Sequence, residues 1–152
     1  MSNYKDRWPQ CETIIHSKVA LKEKMQAICD FLGTHMPVYD WVGFYLSDVK
    51  NKKLHLGPFY GEPTEHTSIS YGKGICGQAA ADQKTYVIDD VAEEKNYIAC
   101  SIHVKSEIVV PIIKNQIVVG QIDIDSHTPA AFKQDDQQLL EQICRELAIY
   151  IE

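Results

Sequence analysis

Apolar residues recur at helical spacing near both ends of this chain and alternate or cluster in short runs between them. From Cys11 to Leu32 they fall at Cys11, Ile14, Ile15, Val19, Met25, Ile28, Cys29 and Leu32, which predicts one amphipathic helix over 3–33, ended near Gly33. The runs "WVGFYLS" and "KLHLGPFY" flank the polar "DVKNKK" and predict an antiparallel hairpin. "HTSISY" alternates as a half-buried strand does, "GQAAADQ" favours a short helix, and "TYVIDD" resumes a strand. Residues 89–99 are polar and irregular, a loop. "SEIVVPIIK" and "IVVGQIDID" flank Asn115-Gln116 as a second hairpin, and Pro111, which lacks a ladder donor, belongs at an edge or a bulge. A last helical stripe, Phe132, Leu139, Leu140, Ile143, Cys144, Leu147 and Ile151, predicts a C-terminal helix over 134–151. The expected fold class is α+β: a single domain over 1–152, its central antiparallel sheet and pocket within 41–127, and its terminal helices on one face of that sheet.

Composition narrows the functional classes. At 152 residues, 45% hydrophobic and 24% charged, the chain has the make-up of a soluble globular domain. No window holds the long apolar run of a membrane span, and "MSNYKDRWPQ" lacks the features of a signal peptide, so a cytoplasmic protein is expected. A net charge of -6 disfavours nucleic acid, whose binding needs a basic face. A small ligand, cationic in part, fits better.

The five cysteines contain no C-x-x-C pair, which argues against a structural zinc knuckle and against a disulfide framework. Cys11, Cys29 and Cys144 lie on helical stripes and read as packing. Cys76 lies in "ISYGKGICGQAA", where Gly72 to Gly77 satisfies G-x-G-x-x-G. Dinucleotide binding is disfavoured, because the preceding strand alternates instead of running apolar and the following strands pair as hairpins. The same loop and helix start favour a thiolate at Cys76, helped by Lys73; the alternative is a small buried residue packing helix on sheet. Cys100 stands in a polar loop, an odd place for packing. His66 and His103 would have to join Cys76 and Cys100 to hold zinc, and nothing in their spacing requires it. Asp123 and Asp125, two apart in "QIDIDS", share one face, and Glu107 lies nearby in the other hairpin strand. Carboxylates projecting together from an apolar strand either meet a cation, share a proton or mark a solvated strand end.

Taken together, "WVGFYL", "LGPFYG", "GKGICGQAA", "YIAC", "KSEIVVPI" and "IVVGQIDIDS" resemble a GAF domain, and specifically the free methionine-(R)-sulfoxide reductases, from about Trp41 to Phe132. The resemblance implies Cys100 as attacking thiol and Cys76 as a second active cysteine. It also implies Glu107, Asp123 and Asp125 as acidic groups for the substrate, with Trp41 and Tyr45 as its aromatic wall. A further family cysteine, ten residues before Cys76, is replaced here by His66, and Ser101-Ile102-His103 follows "IAC" where an acidic residue often stands.

By that resemblance Cys100 attacks the sulfur of free methionine sulfoxide, a carboxyl group supplies a proton, methionine departs and Cys100 is left as sulfenic acid. Cys76 is then the candidate resolving thiol, with no bound cofactor and a thioredoxin/NADPH system as external reductant. Terminal helices of such domains often pair, so a homodimer is expected. The alternative functions are a non-catalytic GAF module that binds or senses a small ligand, and a redox sensor in which Cys76 and Cys100 form a reversible disulfide.

Overall fold

The alternating runs become six strands, β1 (Trp41–Asp48), β2 (Lys53–Tyr60), β3 (Ser68–Ser70), β4 (Tyr86–Ile88), β5 (Ser106–Lys114) and β6 (Ile117–Ser126). The computed structural model that shows them describes residues 3–97 and 102–152. One antiparallel sheet results, in the order β3-β2-β1-β6-β5-β4. Both expected hairpins form. Asn115 and Gln116 close the second with φ of 53° and 68°, the left-handed pair that matches strand twist in a two-residue turn. The last strand, β4, pairs β5 only as far as Val109, so Pro111 sits two residues beyond it, where β5 is the outer strand and no neighbour asks for its missing N–H.

The single helix expected over 3–33 is instead two, α1 (Asn3–Ile15) and α2 (Leu21–His35). The break has a local cause: both the Ser17 backbone N–H and its hydroxyl donate to the Ile14 carbonyl, at 3.3 and 2.7 Å, which tightens the turn and ends the helical ladder. Lys24 Nζ donates to the Ser17 carbonyl and holds the corner. Apolar spacing alone does not report such a break, because the stripe continues on the second helix. At the other end, the helix expected over 134–151 is α4 (Gln134–Leu147) followed by a 3₁₀ turn at Ala148–Tyr150. The short helix after the glycines, α3 (Gly74–Asp82), stops at Gln83, whose φ is 57°.

Strand alternation divides the core in two. Val42 and Phe44 of β1, Ile108, Val110 and Ile112 of β5, and Ile122 and Ile124 of β6 face α1, α2 and α4. The residues between them, including Trp41, Tyr45 and Val109, face the other way, toward Ile75, Cys76 and Ala79 of α3. So the terminal helices do share one face of the sheet. The opposite face is covered by one short helix and by loops.

Candidate functional site

Strand register assembles the acidic residues under α3. Asp125 of β6 pairs with Trp41 of β1 on one side and Glu107 of β5 on the other. In the next row of the same face Asp123 lies between Gly43 and Val109, and in the row after that Gln121 lies between Tyr45 and Pro111. Every residue the sequence singles out on these strands therefore points to one face. They are not a solvated strand end: Glu107 is 4% exposed, Asp123 1% and Asp125 1%.

The first turn of α3 brings Cys76 onto this surface. Gly72 and Gly74 take φ of 87° and 64°, values that side chains rarely adopt, and Gly72 N–H donates to the Gly77 carbonyl at 2.8 Å. The result is a tight entry that lowers the helix onto the strands. Gln121 Nε2 donates to the Cys76 carbonyl at 3.0 Å and pins it there.

The expected helix-terminus thiolate at Cys76 is not what this placement produces. Burial pushes its thiol well above the usual range, and the charges of Asp123, Glu107 and Asp125 push it further, as does its hydrogen bond to Asp123. Three carboxyl groups and loss of solvent outweigh a helix terminus, whose effect is a fraction of a charge. Burial also raises Asp123, although hydrogen bonds from Glu107 and Cys76 pull the other way. Cys76 thus stands as a neutral thiol donating to a carboxylate, with a second carboxyl group beside it.

Trp41 lies flat over Gly43: a Cβ there would fall 2.1 Å from the indole Cη2. Its ring stacks on Phe59 with centroids 5.7 Å apart, and its Nε1 donates to the Glu62 carbonyl at 2.9 Å. Tyr45 is fully buried and its hydroxyl donates to the carbonyl of His66 at 2.9 Å. His66 borders a narrow cleft together with Tyr45, Cys76, Glu107 and Asp123. Trp41 and Asp125 border a neighbouring, larger cleft, shared with His103 and His127. The zinc set weighed from the sequence is divided accordingly, His66 with Cys76 and His103 in the other cleft. Cys100 lies outside the described residues.

Three cysteines behave as the helical stripes predict. Cys11, Cys29 and Cys144 are buried on the opposite face, and burial raises all three thiols, Cys11 to about 12.

Two residues that sequence reasoning missed complete the site. Gln121 carried a signal, since it precedes Asp123 by two and so shares its face. Asn96 carried none. From the loop four residues before Cys100, its Nδ2 donates to the carbonyls of Gly72 and Gly74 at 3.2 and 3.1 Å and to Gln78 Oε1 at 3.2 Å, while its Oδ1 accepts from Gly74 N–H at 3.1 Å. One amide side chain thus clasps the turn that presents Cys76.

The sequence pattern of the GAF domain family matches residues 18–151. Over 105 residues the chain is 43% identical to GAF domain-containing protein A of Dictyostelium discoideum, covering 69% of this chain and 65% of that protein. Over 108 residues it is 40% identical to the free methionine-R-sulfoxide reductase of Saccharomyces cerevisiae, covering 70% of this chain and 59% of that protein. The match thus spans less than two thirds of either relative's length. Among solved structures, free methionine-R-sulfoxide reductase from Neisseria meningitidis in complex with its substrate superimposes with a TM-score of 0.91 at 33% identity, covering 97% of this chain and 87% of that one.

Proposed function

The chain belongs to the GAF domain family, and we propose that within it this protein reduces free methionine-(R)-sulfoxide to methionine. The observation that carries the reading is the burial of Glu107, Asp123 and Asp125 on one sheet face beside a thiol and an indole. Carboxylates gathered in a buried place favour a positively charged ligand, and the α-ammonium of a free amino acid supplies that charge where a peptide-bound residue, which lacks it, does not. The indole of Trp41 offers a flat apolar surface for the methylthio end. The similarity to the yeast and Neisseria reductases supports the same substrate class.

The chemistry proceeds in two balanced steps. Cys100 adds to the sulfoxide sulfur while the carboxyl pair protonates the oxygen; the oxygen passes to Cys100 as sulfenic acid, and methionine leaves with its sulfur reduced by two electrons. The Cys76 thiol then attacks the sulfenic sulfur, and its proton passes by way of the Asp123 carboxylate to the departing hydroxyl, which leaves as water as the disulfide closes. An external dithiol of the thioredoxin type, recharged by NADPH, returns the two electrons. With His66 at the position of the family's further cysteine, Cys76 carries resolution in this chain. A cytoplasmic setting, where that reductant is kept reduced, and a homodimer built on the terminal helices belong to the same reading; light scattering tests the dimer, and a monomer mass would exclude it. Among the described residues no helix is long and apolar enough to cross a membrane.

The deciding assay couples purified protein to thioredoxin, thioredoxin reductase and NADPH, with the R and S epimers offered separately. NADPH consumption with the R epimer alone is expected. No methionine release from either epimer, with dithiothreitol as well as thioredoxin, would leave a non-catalytic GAF module that binds its ligand intact.

A further inference from the structure

Cys76, Glu107 and Asp123 come from three separate elements, yet one donor atom of each, a sulfur and two carboxylate oxygens, lies within 4.8 Å of the other two. All three side chains are buried. A mixed set of thiolate and carboxylate suits a borderline-soft divalent cation, which holds sulfur at roughly 2.3 Å and oxygen at roughly 2.0–2.2 Å. Closing the donors onto such an ion takes side-chain movement of less than about 1 Å at each, given those bond lengths. A second observation concerns one of these donors. Asp123 Oδ1 is buried and has no hydrogen-bond partner among the described residues, an acceptor left without what it would bind.

We propose that Cys76, Glu107 and Asp123 form a binding site for a thiophilic divalent cation, Zn²⁺ being the common biological member of that class, and that the ion competes there with the amino-acid ligand. The binding stands on the donor geometry alone; the competition rests on the reductase reading.

Charge explains both the selectivity and the rivalry. The donors present three negative charges once deprotonated, with Asp125 close enough to act on Cys76 as well. An α-ammonium answers one of those charges and leaves the thiol protonated. A divalent ion answers two and takes the thiolate. On binding, the Cys76 S–H bond and the O–H bond between Glu107 and Asp123 both break heterolytically, the metal forms one sulfur and two oxygen bonds, and a solvent water completes four-coordination. Two protons leave per ion, and no electrons move. Sulfur is what separates this site from a calcium or magnesium site, which takes oxygen donors alone.

The test titrates reduced, chelator-treated protein with Cd²⁺ under anaerobic conditions and follows the ultraviolet cadmium–thiolate charge-transfer band, with proton release read in weak buffer. Saturation at one ion per chain with two protons released is expected, and Zn²⁺ should abolish the band by displacement. Cys76→Ser should remove it. Glu107→Gln and Asp123→Asn, which keep side-chain volume, should each weaken Cd²⁺ by at least the roughly tenfold that losing even an outer-sphere partner costs at metal sites. A stoichiometric band that survives Cys76→Ser, or unchanged affinity in both carboxamide variants, would overturn the site. In Cys100→Ser protein, where the sulfoxide cannot be turned over and Cys76 stays reduced, methionine sulfoxide should shift the Cd²⁺ titration to higher concentration. An intact band that the sulfoxide leaves unmoved would overturn the competition, and with it the shared site, whatever the turnover assay returns.

Discussion

The two faces of the sheet are built from adjacent residues of the same strands and answer to different demands. On β6, Ile122 and Ile124 sink into the layer of α1, α2 and α4, while Gln121, Asp123 and Asp125 turn to α3. Both faces bury cysteines and on both burial raises the thiol, but Cys11, Cys29 and Cys144 lie among apolar side chains whereas Cys76 lies against carboxyl groups. Burial by itself therefore does not distinguish a packing thiol from one proposed to react. What stands beside the sulfur does.

That contrast can be broken from either side. The largest effect is expected from Cys100→Ser, which should reduce turnover to background at an unchanged melting temperature; surviving activity would exclude the mechanism. Asp123→Asn should lower the rate of methionine release by about 10²- to 10⁴-fold, the range of a lost acid–base group. Its stability to urea should be equal or higher, because a buried charge is removed without loss of volume. Phe44→Ala, on the helix face of the same sheet, should do the reverse. It should cost about 3–5 kcal/mol of stability while the rate per folded molecule is kept.

Smaller effects sharpen the comparison. Gly43→Ala places a methyl group where the Trp41 indole lies and should reduce kcat/KM by about tenfold to a hundredfold with the fold intact. Smallest is an alkaline loss of stability from the packing face. The Cys11 thiol is raised from 9.0 to about 12, so the folded form holds its proton longer than the unfolded chain does. Its contribution is complete below pH 9.0 and falls between there and about pH 12, by about 1.4 kcal/mol per pH unit. Cys11→Ala should make that slope shallower, the other raised thiols keeping the remainder, in urea melts taken between pH 8 and 10, roughly one unit either side of the ordinary thiol value.

Much of this was legible in the chain. Alternation in "IVVGQIDID" and in "WVGFYLS" places Trp41, Tyr45, Asp123 and Asp125 on a common face, because the side-chain period of a strand is two. Three things were not legible. The helix break at 16–20 leaves the apolar stripe continuous across it. The Cys76 thiol depends on which groups the register brings opposite α3, a long-range fact that the glycine loop does not carry. The Asn96 clasp joins residues more than twenty apart in the chain through a side chain with no periodicity to reveal it.

The interleaving on β6 also bears on how this chain can vary in length. Past the irregularity in pairing that the hairpin already carries beside Ile112 and Ile113, inserting or deleting one residue between Gly120 and Asp123 would swing both aspartates into the helix layer and both isoleucines into the pocket, losing fold and site in one event. Changes by two restore the alternation and shift only the row. Length variation in this hairpin is therefore tolerated in even steps or beyond its ends, and a library of insertions scanned along β5 and β6 should show survival that alternates with parity.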